Sequence, residues 1–286
     1  MFHQRIQVPT SGGASIAMDA YIPAASREIS PDIKRPSILI CPGGAFLYLS
    51  EREAEPIALR FLAEGFNVFV VWYRVHPSNL PMSTEHAHMD WVKAPADHRF
   101  PMSQQDVAAC TAYVRAHADE WHADPNQIAL MGFSAGGYLC ATMGGLWHRA
   151  ELWQEMGLTP QEVRPNAVVL AYPPTDTALG SALFFEWATG EKDPEKQKAY
   201  SVLNMVTQDY PPAFIWHTFP DELVPVQHSI RLAQALAENG VLTELHIFPV
   251  GGHGLALSNA MTGTIQPECE QWTTLAARFL RDAMNK

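Results

Sequence analysis

The 286-residue chain has four cysteines, Cys41, Cys110, Cys140 and Cys269, and no C-x-x-C pair. Three of them fall in segments that read as core strand or helix, where cysteine serves as a small apolar side chain. Free thiols in a reducing compartment are therefore expected. The chain also lacks any apolar run approaching the roughly 18 residues of a transmembrane helix. Its first residues, Met1-Phe2-His3-Gln4-Arg5-Ile6-Gln7, lack the apolar core of a signal peptide. A basic excess is missing too: 19 Lys and Arg face 30 Asp and Glu, a net charge of −11. Nucleic acids and anionic membranes are held by basic faces, so neither is expected as a partner. The expectation is a soluble, cytoplasmic chain acting on a small molecule. Homo-oligomer formation stays open. With no linker, repeat or low-complexity block, one domain over 1–286 is expected.

What is present alternates. Residues 4–8 and 14–22 switch between apolar and polar around Ser11-Gly12-Gly13, the pattern of an opening β-hairpin. Apolar runs at 37–41, 68–73, 128–131, 167–172, 213–217 and 244–248 read as buried parallel strands. Helical periodicity falls between and after them, at about 53–64, 102–121, 135–147, 226–239 and 272–280. This order predicts an α/β fold: a mostly parallel sheet of about eight strands with an antiparallel N-terminal hairpin and helices on both faces. Sites in such sheets form at the carboxyl ends of the strands. Two stretches, 74–101 and 173–212, break the alternation and are candidates for long binding loops or a cap.

Gly132-Phe133-Ser134-Ala135-Gly136 matches G-x-S-x-G directly after an apolar strand and before a helix. That context gives the motif its meaning. A sharp strand-to-helix turn lifts the serine above the sheet, and small neighbours let the chain pass close to itself. Ser134 is the candidate nucleophile. A serine hydroxyl needs a base to take its proton. His253, in Gly251-Gly252-His253-Gly254 just after the last strand, is the candidate. No other of the twelve histidines occupies a comparable place. The acid that orients the imidazole is expected at Asp221, after the strand 213–217. Asp176 and Glu222 are its rivals. Oxyanion donors are expected from the backbone of Ala135 and from Gly44 and Ala45, in the loop Pro42-Gly43-Gly44-Ala45-Phe46 that ends the first buried strand.

Taken with Leu49-Ser50-Glu51-Arg52-Glu53-Ala54-Glu55-Pro56 and Gly137, these motifs resemble bacterial α/β-hydrolases. The group includes short-chain carboxylesterases and acetyl-xylan-esterase-like enzymes. In layout the chain is similar to the hormone-sensitive-lipase-like esterases, whose oxyanion loop reads His-Gly-Gly-Gly. The likeness runs from about residue 36 to the end. It implies ester hydrolysis through an acyl-enzyme, no cofactor, no metal, and small acyl groups such as acetyl, including those on carbohydrates. The departures are Pro42 in place of the motif's His, Ala45 in place of its third Gly, and a long 74–101 segment. Two other readings stay open: a serine peptidase of the prolyl-oligopeptidase type, and a non-catalytic binding protein on the same fold.

Three further groups lie near these motifs or in the long segments. His76, His86, His88, Asp90, Asp97 and His98 are a polar cluster without the spacing of a metal site. Trp91, and Phe184, Phe185 and Trp187, could wall a pocket or pack in a core. Arg52 and Glu55 read as solvated charges at a helix start.

Overall fold

In the computed structural model, residues 1–26, 28, 32–75, 99–180 and 182–285 are described. The opening hairpin is β1 (Phe2–Pro9) and β2 (Ser15–Ile22), joined by the turn at Gly12 and Gly13. Six more strands follow: β3 (Arg35–Cys41), β4 (Asn67–Trp72), β5 (Ala123–Phe133), β6 (Ala167–Ala171), β7 (Ala213–Thr218) and β8 (Thr243–Phe248). They form one eight-stranded sheet in the order β1-β2-β4-β3-β5-β6-β7-β8. β2 runs antiparallel to both β1 and β4, and every pair from β4 to β8 is parallel. The expected α/β architecture is the observed one.

Alternation along each strand sorts side chains between two cores. Leu39 and Leu130 face one side, and Ile38, Ile40, Ala129 and Met131 face the other. The first face is covered by α2 (Met102–Ala116), α3 (Ala135–Leu146) and α7 (Gln227–Glu238), through residues such as Val107, Leu139 and Leu232. The second is covered by α1 (Glu55–Ala63) and α9 (Trp272–Met284). The α9 stripe buries Trp272, Ala276, Phe279 and Leu280, and Trp272 stacks on Trp216 of β7 at 5.0 Å. Full burial of one such large apolar side chain is worth about 1.5–3 kcal/mol.

Two boundaries differ from expectation. The helix expected over 102–121 ends at Ala116, because Trp121 folds back against Phe69 at 5.0 Å and the chain reverses at His122 with φ 50°. β5 starts at Ala123 rather than 128, since Ala123 already pairs with Arg35 across a register shift. The stretch 173–212 carries helices α5 (Ala182–Thr189) and α6 (Pro194–Gln197) among shorter turns. α4 (Pro160–Val163) precedes it, and α8 (Pro267–Glu270) leads into α9. Most of 74–101 lies outside the described residues, including His76, His86, His88, Asp90, Trp91, Asp97 and His98. All four cysteines are free and buried. No helix among the described residues is long and apolar enough to cross a membrane.

The topology places the site. β3 is followed by β4 on one side and β5 by β6 on the other, so the connections leaving these adjacent strands run in opposite directions, which opens a crevice at their carboxyl ends. Register brings Cys41 opposite Gly132, and Phe133 opposite Ala171. The turns that follow β3, β5 and β6 therefore begin side by side. Glycine is required where they touch. A Cβ on Gly136 would lie 2.0 Å from the Cys41 carbonyl oxygen, and one on Gly132 would lie 2.0 Å from that of Gly136. At the far side of the crevice, His228 in the first turn of α7 anchors the loop after β6. Its Nδ1 accepts the amides of Thr175 and Asp176, each at 3.0 Å, which fixes a neutral ring.

Gly136→Ala should therefore destabilise the fold by at least about 3 kcal/mol, because backbone and not a flexible side chain stands in the way. Urea unfolding measures it, and a loss under 1 kcal/mol would contradict the close approach. His228 gives a pH signature. Burial depresses its pKa to about 4; His217 and Arg231 act in the same direction, and Asp176 and Asp221 oppose. The unfolded ring protonates near pH 6.5. Stability from the neutral ring is complete above that value and is lost as pH falls toward 4. Between pH 7 and pH 4.5 the wild type should lose about 2–3 kcal/mol through this group. His228→Gln should lose correspondingly less over the same interval. Equal pH slopes for the two proteins would remove the assignment.

Candidate active site

Ser134 closes β5 and opens α3 with φ 49° and ψ −114°, a backbone that side-chain-bearing residues rarely adopt. The turn is held by the Ser134 amide, which donates to the Ala171 carbonyl at 2.9 Å, and by the Tyr138 amide, which donates to the Ser134 carbonyl at 2.9 Å. The serine side chain thus stands at the helix N-terminus, where the dipole favours developing negative charge.

His253 and Asp221 reach it from two separate loops. His253 Nε2 lies 2.8 Å from Ser134 Oγ, and its Nδ1 lies 2.7 Å from Asp221 Oδ2. Positions 134, 221 and 253, far apart in the chain, come together above the sheet. The loop after β8 turns through Gly251, at φ 97°, and Gly254, at φ 72°, which sets the imidazole over the strand ends. The arrangement can pass a proton from the hydroxyl to Nε2 while the carboxylate keeps the proton on Nδ1.

Asp221 is buried, and its surroundings explain its charge. Burial alone raises its pKa and is the largest influence. It is outweighed by hydrogen bonds from His217 and His253, the charge of His253 and the Val224 amide, so the group lies below the usual carboxylate range. Oδ1 accepts the amides of Leu223 at 3.0 Å and Val224 at 2.9 Å. His217 Nε2 lies 3.2 Å from Oδ2 and 2.9 Å from the Val224 carbonyl oxygen. Two acceptors at Nε2 place a proton there, and Nδ1 lies 2.8 Å from Ser229 Oγ.

The rival carboxylates are engaged elsewhere. Asp176 accepts from the Ala178 amide at 2.9 Å and pairs with Arg231 at 2.7 Å. Glu222 is exposed. Among the described residues, the amides of Gly44, Ala45 and Ala135 donate to no protein acceptor. Gly44, Ala45 and Phe46 all have positive φ, at 127°, 54° and 61°; Ala45 thus takes a left-handed conformation despite its Cβ. This loop is held by Tyr73, whose hydroxyl donates to the Pro42 carbonyl at 2.6 Å, and by the Ser50 amide on the Gly43 carbonyl at 3.0 Å.

A cavity of about 430 Å³ opens beside Ser134 and His253. Gly44 and Ala45 line it on one side, and Phe184 and Trp187 of α5 on another. Phe184 also packs on Phe46, at 5.9 Å, and on Tyr138, at 5.5 Å. Phe185 instead points into the core and is fully buried. Arg52 is exposed at the cavity rim, and Glu55 is exposed at the start of α1. Three further residues support the site without a motif in the sequence. His217 braces Asp221. Glu53 and Tyr172 are buried behind the oxyanion and histidine loops, with the Tyr172 ring 4.9 Å from that of His253. In a single sequence, His217 ends an apolar strand and Glu53 precedes a helix, and neither carries a signal of burial.

Comparison with known proteins agrees with this geometry. The model of the BD-FAE family matches residues 85–236. Endo-1,4-beta-xylanase B of Butyrivibrio fibrisolvens is 28% identical over 257 residues, 87% of this chain and 37% of that protein. An acetylxylan esterase of Xylanibacter ruminicola is 32% identical over 226 residues, 76% of this chain and 40% of that protein. The chain thus spans about two fifths of the length of these curated relatives. The crystal structure of the carboxylesterase Cest-2923 from Lactobacillus plantarum is 28% identical with a TM-score of 0.83, covering 99% of this chain and 98% of that one. A strand-to-helix serine turn on this sheet, a match over more than half of the chain and full-length structural likeness to a carboxylesterase lead to one assignment: the chain belongs to the BD-FAE family and has the α/β-hydrolase fold.

Proposed function

We propose that the protein is a serine carboxylesterase that moves small acyl groups from an ester to water through an acyl-enzyme on Ser134. The observation that carries this reading is the unbroken relay from Ser134 Oγ through His253 to Asp221, at 2.8 and 2.7 Å. His253 Nε2 takes the hydroxyl proton as Oγ attacks the ester carbonyl. The amides of Gly44, Ala45 and Ala135 receive the oxyanion, each donor being worth about 2.7–4 kcal/mol. The imidazolium then gives its proton to the leaving alcohol oxygen as the carbonyl–alkoxy bond breaks. Water then attacks the acyl carbonyl as it gives a proton to Nε2, and the imidazolium returns that proton to Ser134 Oγ as the acyl–Oγ bond breaks and the acid leaves. Asp221 stays ionised and stabilises the imidazolium.

The acetyl preference rests on the site's size and on the relatives. Phe184 and Trp187 narrow a cavity of about 430 Å³, which suits a short acyl chain beside a larger alcohol. In this reading α5 acts as a cap within one domain. An acetylxylan esterase among the relatives favours acetylated carbohydrates as natural esters. The chemistry uses only side chains, backbone amides and water.

Purified protein should hydrolyse p-nitrophenyl acetate, and Ser134→Ala should reduce kcat by about 10⁶-fold. Asp221→Asn, which leaves the imidazole without its orienting charge, should reduce it by about 10⁴-fold. Full activity in either variant would end the proposed mechanism. In a series of p-nitrophenyl esters, kcat/KM should fall at least tenfold from acetyl to octanoyl. Phe184→Ala should flatten that fall. A rate that rises with chain length would rule out the small-acyl reading. Xaa-Pro-amide substrates should stay uncleaved.

A further inference from the structure

Glu53 is the last residue of a short turn, Glu51–Glu53, just ahead of α1, and only 3% of it is exposed. No step of the reaction described above uses it. Its two oxygens nevertheless reach both halves of the site. Oε2 accepts the amide of Gly43 at 2.8 Å, and Gly43 directly precedes the oxyanion donors Gly44 and Ala45. Oε1 accepts the hydroxyl of Tyr172 at 2.7 Å. The oxygen of Tyr172 in turn accepts the amide of Ala256, three residues after His253, at 3.2 Å. The Tyr172 ring meets the His253 ring edge-on at 4.9 Å and 66°. The space between is filled: a Cβ on Gly43 would lie 2.7 Å from Glu53 Oε2 and 3.0 Å from Ser134 Cβ.

The hydrogen atoms have only one full assignment. Gly43 and Ala256 can only donate through their amides. The Tyr172 oxygen receives the Ala256 proton, so its own hydroxyl proton points to Oε1, its one recorded acceptor. Both carboxyl oxygens are thus acceptors, which calls for the ionised form. A protonated Glu53 would leave the phenol proton buried with no acceptor, which is unfavourable. Burial is the largest influence and raises the pKa above the usual carboxylate value, against the bonds from Tyr172 and Gly43 and the positive charges of His253 and Arg52; the ionised form rests on the hydrogen-bond pattern.

We propose that Glu53 is a positioning residue whose buried carboxylate, acting through Tyr172, couples the oxyanion loop to the loop carrying His253. The proposal rests on the esterase reading of Ser134. Oxyanion donors act by being fixed before the charge forms, and an error of about 1 Å in a reacting group can reduce the rate about a hundredfold. A single carboxylate bonded to both loops holds their separation constant while the imidazole gains and loses its proton. Glu53 lines the cavity, yet both its oxygens are engaged by Gly43 and Tyr172 and neither bonds to Ser134 or His253, so its effect is expected on kcat more than on KM.

The test measures kcat and KM on p-nitrophenyl acetate for wild type, Glu53→Gln, Tyr172→Phe and the double variant, with the melting temperature of each. Glutamine keeps one acceptor but puts an NH₂ donor against either the Gly43 amide or the tyrosine hydroxyl. Phenylalanine removes the relay and keeps the ring against His253. Each single variant should reduce kcat at least tenfold with KM within about threefold of wild type. Because both act through one chain of bonds, the double variant should be no worse than about threefold below the weaker single. If Glu53→Gln fails to fold, Tyr172→Phe carries the same kcat and KM criterion. Unchanged kcat with a lowered melting temperature would assign Glu53 to stability alone and overturn the proposal. Effects that multiply in the double variant would overturn the coupling. Wild-type turnover that disappears in Ser134→Ala keeps the esterase reading intact under both results. An inactive wild type would remove both readings together.

Discussion

The site depends on one turn of backbone. Ser134 can stand over the sheet only because β5 passes into α3 through φ 49° and ψ −114°, and that passage is open only while Gly132 and Gly136 carry no Cβ. The carbonyl of Cys41 at the end of β3 occupies the space a Cβ at 136 would need. The same approach that permits the turn therefore brings the loop after β3 alongside the nucleophile. Ser134 and the proposed oxyanion donors are neighbours because the two parallel strands beneath them are neighbours in register, Cys41 opposite Gly132. The sheet fixes that register through two apolar cores, since a one-residue slip would turn each strand's side chains to the wrong face.

Strain is concentrated where this geometry is used. Among the described residues, seven other than glycine have positive φ: Ala45, Phe46, His122, Ser134, Tyr172, Ala256 and Ser258. All but His122 lie in the loops that follow β3, β5, β6 and β8, around the crevice. Each such residue costs about 1–3 kcal/mol and persists only where its surroundings over-determine it. The surroundings here are buried polar contacts, such as the Tyr73 hydroxyl on the Pro42 carbonyl and the Ser134 amide on the Ala171 carbonyl. Loop conformations that are unfavourable in isolation are held by hydrogen bonds to the strand ends, which the cores keep still.

Local backbone chemistry made part of this legible. Gly-x-Ser-x-Gly between an apolar strand and a helix, a histidine among glycines after the last strand and an aspartate after the strand before it are all statements about short segments. The same local signals gave the eight strands within a few residues. The turn after Trp121 was hidden because it depends on contact with Phe69, 52 positions earlier in the chain. In the sequence Glu53 looks like the start of a helix, since nothing in Ser50-Glu51-Arg52-Glu53 separates the buried glutamate from the exposed Glu51. Its partners, Gly43 and Tyr172, come from other strand ends, so its role exists only once the sheet is assembled. Phe184 and Phe185 show the same limit. Adjacent on α5, one lines the cavity and the other lies in the core, and composition alone could not divide them.

Two carboxylates buried behind one imidazole pose an electrostatic problem in a chain that already carries a charge of −11. Each solves it differently. Asp221 takes two amides and two histidine nitrogens, enough to hold it ionised against burial. In the proposed mechanism the positive charge that forms on His253 during proton transfer has Asp221 as its direct partner. Glu53 takes one amide and one phenol, a weaker set, and burial raises its pKa accordingly. Its negative charge is better compensated when His253 is protonated than when it is neutral, because that charge is among those that favour the ionised form. The resting site therefore holds unspent attraction toward an imidazolium, and that species appears as Ser134 attacks. Differential stabilisation of this kind lowers a barrier, where attraction equal in both states would not.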